Sequence, residues 1–252
     1  MKSRTRIRGL LLIMMGCLAW YAIHSGAIVI PDRWKPWTPL RIADEPNALT
    51  PWKMMRAAGN DVQCLSVLAG AEMTYTALPD RETGPGCGFR NAVQISRTTA
   101  AIGDTFSLSC RAALSLAMWE RHVLQPEAQR VFGQPVARIE HFGSYACRNV
   151  YSREGAARSR HATADALDVA GFTLADGTRI RVVRDWPSTQ ARDGLPDATG
   201  DGANAVSDDA GRFLRSIHRG ACRYFDATLG PDYNAAHADH FHLDRGGYGA
   251  CR

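Results

Sequence analysis

Six cysteines set the strongest limit on what this chain can fold into. Cys64, Cys87, Cys110, Cys147, Cys222 and Cys251 form an even set, and no two stand at the C-x-x-C spacing of a thiolate zinc site or a redox pair. Three disulfides are therefore expected, in a compartment that lets them form. Six cysteines allow fifteen connectivities, and only Cys64 to Cys87 looks closed by loop length. The other two pairings stay open at this level.

The seventh cysteine, Cys17, falls in a run of different character. From Gly9 to Ile30 the chain reads GLLLIMMGCLAWYAIHSGAIVI, whose only strongly polar members are His24 and Ser25. That is long enough to cross a bilayer. Lys2, Arg4, Arg6 and Arg8 precede it with no acid among them, so this basic tip is expected to stay cytoplasmic and the remainder to be exported. A cleaved signal peptide is the competing reading, but no convincing small-x-small cleavage site follows the run. Met14-Met15-Gly16-Cys17 has too short an apolar stretch before it for a lipoprotein box. The expectation is a single-pass signal anchor in the inner membrane over residues 1–30, a Pro- and Trp-rich linker over 31–50, and one domain over 51–252 facing the periplasm. A domain of that length can bury one sizeable core.

The formal charge of +5 is almost all in the basic tip, and the rest of the chain is close to neutral. There is no basic footprint for nucleic acid. Lysine occurs only at Lys2, Lys35 and Lys53, at or before the start of the domain, which excludes a lysine base, a Schiff base and a P-loop.

Ala112, Leu116, Trp119 and Val123 fall on one stripe at helical spacing, so a helix is expected from about Arg111 to Phe132, with Trp119 in the core. Val136 to His141 reads as a strand. Ala166 to Phe172 alternates, and Asp176-Gly177 before Ile180-Arg181-Val182-Val183 suggests a hairpin. In the first of these strands Leu167 and Val169 face one way and Asp168 the other, and an ionised Asp flanked by core residues needs a partner. Leu195 to Ala210, rich in Gly and Asp, is expected to be a mobile loop. Phe213, Leu214, Ile217 and Ala221 mark a second amphipathic helix, expected to end near Gly230-Pro231.

Two stretches carry chemistry. Ser159 to Asp168 reads SRHATADALD, and Asp239 to His242 reads DHFH. Together they offer a histidine, a carboxylate and a second histidine, the set that holds a catalytic zinc and leaves its fourth position open to water. In a strand His240 and His242 point to one face, which fits one ligand and one catalytic or supporting group. A His-x-His pair alone is common, and Ser, His and Asp populate ordinary turns. Weight comes from their coincidence in one domain.

The run Ser159-x-His161-x-x-Ala164-x-Ala166-x-Asp168 resembles the S-x-H-x-x-G-x-A-x-D motif of the LAS zinc peptidases, the group of lysostaphin-type enzymes, D-Ala-D-Ala carboxypeptidases and the hedgehog domain. More closely, GSYACR at 143–148, GACR at 220–223 and GPDYNAAHADHFHLD at 230–244 resemble the bacterial extensin-like C-terminal domain family, from about Ala43 to Arg252. The resemblance implies His161, Asp168 and His242 as zinc ligands. It implies Asp239 or His240 as the base that takes a proton from water, and Arg148 as the contact for a substrate carboxylate, which its planar fork suits. Ser159 would support the site by a hydrogen bond. Ala164 stands where the motif has glycine, a change that matters if the turn needs a positive φ. Asp at 239 is one methylene shorter than the carboxypeptidase Glu, which shifts weight towards His240.

The expectation is thus an α+β domain whose antiparallel sheet carries a zinc ion, flanked by helices and preceded by one transmembrane helix. The expected function is a hydrolase, a zinc metallopeptidase of carboxypeptidase or endopeptidase type acting on peptidoglycan peptides. The alternatives are a non-catalytic cell-wall or protein-binding module that keeps the metal, and a purely disulfide-held structural domain.

Overall fold

The first helix, α1, runs Lys2–His24. It ends where Gly26 adopts a left-handed φ of 77°, so Ile28, Val29 and Ile30 lie beyond it. Its uncharged part, from Gly9 to His24, spans about 24 Å at 1.5 Å per residue, short of a hydrocarbon core of about 30 Å. Reaching further back brings in the arginines. Among the described residues no helix is long and apolar enough to cross a membrane. The expected transmembrane helix is therefore overturned, and with it the single-pass inner-membrane placement that rested on it.

The computed structural model describes residues 2–187 and 202–252. After α1 come α2 (Thr50–Ala58) and α3 (Asp61–Leu68), the latter capped by the Asn60 side chain, which accepts from the Gln63 N–H at 2.8 Å. Six strands follow: β1 (Thr74–Leu78), β2 (Arg81–Gly84), β3 (Cys87–Phe89), β4 (Ala92–Arg97), β5 (Ala101–Ile102) and β6 (Phe106–Ser109). Strands β1, β4 and β6 make a small antiparallel sheet, and β2 with β3 a hairpin. Then α4 (Cys110–Trp119), capped by Ser109, passes through a π-helical turn at Glu120–Leu124 into α5 (Gln125–Phe132). In the wider turn the Gln125 N–H reaches the Glu120 carbonyl, and Pro126, which has no N–H, follows at once. The expected helix is present, continuous across that turn.

The second sheet holds the site. Its strands are β7 (Val136–Gly143), β8 (Ala166–Leu174), β9 (Arg179–Arg181), β10 (Ala227–Leu229), β11 (Phe241–Asp244) and β12 (Ala250–Cys251), with α6 (Val182–Asp185) and α7 (Gly202–Ala221) between β9 and β10. The order is β12-β10-β11-β8-β7-β5, with β9 beside β8. Its centre is antiparallel as expected, while the pairs β10–β12 and β5–β7 are parallel. Helices α4 and α7 cover one face. Trp119 is fully buried and donates its indole N–H to the Ile217 carbonyl of α7 at 3.0 Å, and Phe172 and Phe213 pack ring to ring at 5.7 Å. Period-two alternation sends Leu167, Val169, Phe241 and Leu243 into that core, which leaves Asp168 and His242 for the other face.

Several expectations are corrected. The disulfides number three, but they join Cys64 to Cys110, Cys87 to Cys147 and Cys222 to Cys251. Cys64 faces the first turn of α4 from α3, and the β2–β3 hairpin carries Cys87 towards Cys147, so spatial neighbours replace the pair close in sequence. The second helix ends at Ala221 rather than near Gly230, because Ala227–Leu229 is needed as a strand between β11 and β12. Of the loop expected at 195–210, residues 195–201 lie outside the described residues and 202–210 are helical. Val182 and Val183 begin a short helix instead of extending the hairpin. Lys53 is buried within α2, with its ammonium on the Asp32 carbonyl and the Thr38 hydroxyl, both at 2.9 Å, and Leu40 and Ile42 join the core.

Candidate metal centre

A short turn sets up the site. The Ser159 hydroxyl accepts from the His161 N–H at 3.3 Å and opens a 3-10 helix at Arg160–Thr163. Ala164 closes it at φ 54°, the left-handed conformation that suits glycine, so the turn does require a positive φ and an alanine meets it. Asp165, buried, locks the turn: it accepts from Arg111 at 2.8 and 2.5 Å, from Ser109 at 2.5 Å and from Thr163 at 2.7 Å.

The turn delivers His161 to the face of β8 opposite the helix-covered core. Register does the rest, because His242 on β11 lies directly across from Asp168 on β8. The His161 Nε2 is 3.2 Å from Asp168 Oδ2 and 3.2 Å from His242 Nδ1, and His242 Nδ1 is 2.9 Å from Asp168 Oδ1. One ligand atom from each of the three lies within 4.8 Å of the others.

The remaining ring nitrogens are tied back. His161 Nδ1 donates to the Ser144 carbonyl, and His242 Nε2 donates to Asp244 Oδ2 at 3.2 Å. These partners hold protons on the far sides of both rings, so that His161 Nε2 and His242 Nδ1 are the nitrogens that face Asp168. Two imidazole nitrogens around a carboxylate at about 3 Å call for a positive centre, a proton or a metal ion. Four tetrahedral ligands at 2.0–2.1 Å from an ion sit about 3.3 Å apart, so the spacing and the mixed His/Asp donor set fit zinc.

The electrostatics agree. Burial alone would raise Asp168, but hydrogen bonds from His161 and His242 outweigh it and hold the carboxyl well below the usual carboxylate range. Burial pushes His242 down, and hydrogen bonds to Asp168 and Asp244 outweigh that, raising it to about 9. A proton on His242 thus serves as a small cation, one that an incoming metal displaces.

Around the triad, His240 Nε2 stands 3.6 Å from Asp168 Oδ1, while its Nδ1 is 2.7 Å from Asp239 Oδ1. Asp239 is therefore behind His240, half exposed, and orients it. His237 is buried, hydrogen-bonded through Nδ1 to Asn234 at 2.8 Å, and packs 5.4 Å from His240 and 5.7 Å from His242. Burial, then the neighbouring imidazoles of His242 and His240, lowers it to about 4. Among the described residues Arg148 has no ion pair, and its charge adds to the lowering at His237. A cleft of about 690 Å³ on the far side of the turn is lined by Arg160, Asp165, Arg111 and Arg90, and contains none of the triad.

Residues 62–252 match the family model for the extensin-like protein C-terminus. The chain belongs to the extensin-like C-terminal family. The match takes in all three disulfides, the triad, Asp239, His240 and Arg148; it begins inside α3, later than the Ala43 expected from the motifs, and leaves out α1 and α2. No curated protein and no solved structure matches the chain.

Within this extensin-like domain, sequence reasoning passed over Ser144, which acts through its carbonyl and so leaves no signal in residue type. It also passed over Asp244, whose signal was present: two residues beyond His242 in a strand, it had to share that face. The assembled groups can bind a divalent cation, and His240, 3.6 Å from Asp168, stands where it can exchange a proton.

Proposed function

We propose that this extensin-like domain is a zinc-dependent peptidase related to the LAS enzymes and acting on the peptide part of peptidoglycan. Its support is the convergence of His161 Nε2, Asp168 and His242 Nδ1, with the outer nitrogens of both imidazoles tied to Ser144 and Asp244. His161, Asp168 and His242 would hold the metal. A zinc ion bound there would supply an acidified water and polarise the scissile carbonyl.

The chain's own groups do the remaining work. His240 Nε2 accepts the proton that water loses as its oxygen attacks the carbonyl carbon, and then gives that proton to the amide nitrogen as the C–N bond breaks. Asp239, on His240 Nδ1, keeps the ring turned to the site and stabilises the imidazolium that forms. Arg148 receives a carboxylate of the substrate through its planar fork.

Elemental analysis of the oxidised full chain beside a His161→Ala, His242→Ala double variant tests the metal: about one zinc per chain, lost in the variant, is expected. Muropeptide digestion followed by mass spectrometry tests the chemistry. His240→Ala should lose about 10²–10⁴-fold in turnover while keeping its zinc, and Asp239→Ala should lose less. Zinc retained with no digestion of any muropeptide would leave a binding module, and full turnover in both variants would overturn the roles given to Asp239 and His240.

A further inference from the structure

Three aromatic side chains stand exposed around the triad, each displayed by a different backbone device. Phe142 is 62 % exposed. In the β7–β8 pairing His141 lies opposite Val169 and Gly143 opposite Asp168, which makes Phe142 the extra residue of a bulge beside Asp168. Such bulges re-aim a side chain. The Phe142 ring meets His240 edge-on at 5.7 Å.

Tyr151 is 43 % exposed, and it and Ser152 take φ of 53° and 55°. Two successive non-glycine residues in the left-handed region are strained, and such strain is held in place where a ligand is clamped. The Tyr151 ring lies 6.4 Å from His237, and its hydroxyl accepts from Asn234 Nδ2 at 2.8 Å. Tyr248 is 77 % exposed, set among Gly246, Gly247 and Gly249. Its phenol is near enough to that of Tyr233 to raise the pKa of the latter, and the Tyr233 ring is 5.4 Å from His237.

Rings exposed beside the histidines of the site offer apolar faces that a ligand seated there can cover. They do not merge into one greasy patch: Arg148 has no ion pair among the described residues, Arg153 lies 5.5 Å over the Tyr151 ring, and Asn234 holds the Tyr151 hydroxyl. Separate aromatic faces with donors between them suit a ligand that has C–H faces and hydroxyl edges on the same unit, which a pyranose ring has and a peptide backbone lacks.

We infer that Phe142, Tyr151 and Tyr248 bind sugar rings, so that the substrate is recognised as peptide attached to a glycan of N-acetylated amino sugars. The nature of the sugar rests on the peptidoglycan reading above; the stacking itself does not.

The full oxidised chain, labelled with nitrogen-15, is titrated by NMR with the tetramer of N-acetylglucosamine, which has no peptide and needs no metal. Resonances of Phe142, Tyr151 and Tyr248 should shift. Phe142→Ala and Tyr248→Ala should each weaken binding about two- to tenfold, the double variant more, with Trp37→Ala, an exposed ring at 71 % elsewhere, unchanged. Near-ultraviolet circular dichroism checks that each variant is folded. Unmoved resonances at the highest sugar concentration, a double variant that binds like the wild type, or shifts induced by phosphatidylcholine vesicles and not by the tetramer would each overturn the inference. A chain that binds the tetramer and digests no muropeptide refutes the peptidase alone; one that digests free stem peptide while these resonances stay still refutes the sugar site alone.

Discussion

Two carboxylates shielded from water, the half-buried Asp168 on the sheet and the buried Glu120 at the π-helical turn, have opposite fates. Asp168 lies between two imidazoles and is held ionised far below the ordinary range. Glu120 is 1 % exposed; one oxygen accepts from the Thr99 hydroxyl at 2.6 Å and its N–H at 3.2 Å, the other has no partner, and burial outweighs these bonds to raise it to about 7. Burial is common to both. What differs is whether the neighbours carry positive charge or only dipoles, and that decides which acid can serve a cation.

The largest expected effect breaks the comparison outright. Asp168→Ala should bring zinc from about one per chain to below about a tenth by elemental analysis, whereas Glu120→Gln should leave it unchanged. If Asp168→Ala kept its zinc, the two acids would not differ in the way their neighbours imply.

Glu120 sharpens the other side. An acid whose pKa rises from 4.5 unfolded to about 7 folded binds its proton more tightly in the native state. Stability linked to it is full below about pH 4.5, falls as pH rises towards 7 and stays low above it, a loss of about 3 kcal/mol. Glu120→Gln removes that loss, so denaturant midpoints of the two proteins should be close near pH 4.5 and favour the variant by up to about 3 kcal/mol at pH 8.

Asp244 extends Asp168's network through the far nitrogen of His242. Asp244→Asn should weaken zinc by about 10–100-fold in a chelator competition, equivalent to about 1.4–2.7 kcal/mol. An unchanged affinity would mean that Asp168 and the two histidines need no outer support. Smallest is Ala164→Gly in the turn before Asp168. Relief of left-handed strain, about 1 kcal/mol, is offset by a more flexible unfolded chain and a lost buried methyl, leaving a thermal shift equivalent to within about 1 kcal/mol either way.

Much of the site was legible because its strands alternate. Leu167 and Val169 flanking Asp168 marked a core strand with a carboxylate on its other face, and His240 and His242 had to share a side. The stripe of Ala112, Leu116, Trp119 and Val123 marked the central helix for the same kind of reason. The relative placement of Asp239 and His240 was not legible: both are close to the triad in sequence, and only side-chain direction puts Asp239 behind His240. Nor was the end of α1, since apolar composition runs to Ile30 while the helix stops at His24.

The sequence by itself determined which residues face which side, that six cysteines pair, and that His161, Asp168 and His242 offer a zinc-like donor set, because periodicity and residue chemistry are local properties. Tertiary structure alone decided that Cys64 meets Cys110, that His242 lies across from Asp168, that Ser144 and Asp244 fix the two imidazole tautomers, and that Phe142 is turned outward by a bulge. Each of those depends on register and approach between segments far apart in the chain, and no local preference encodes a distance.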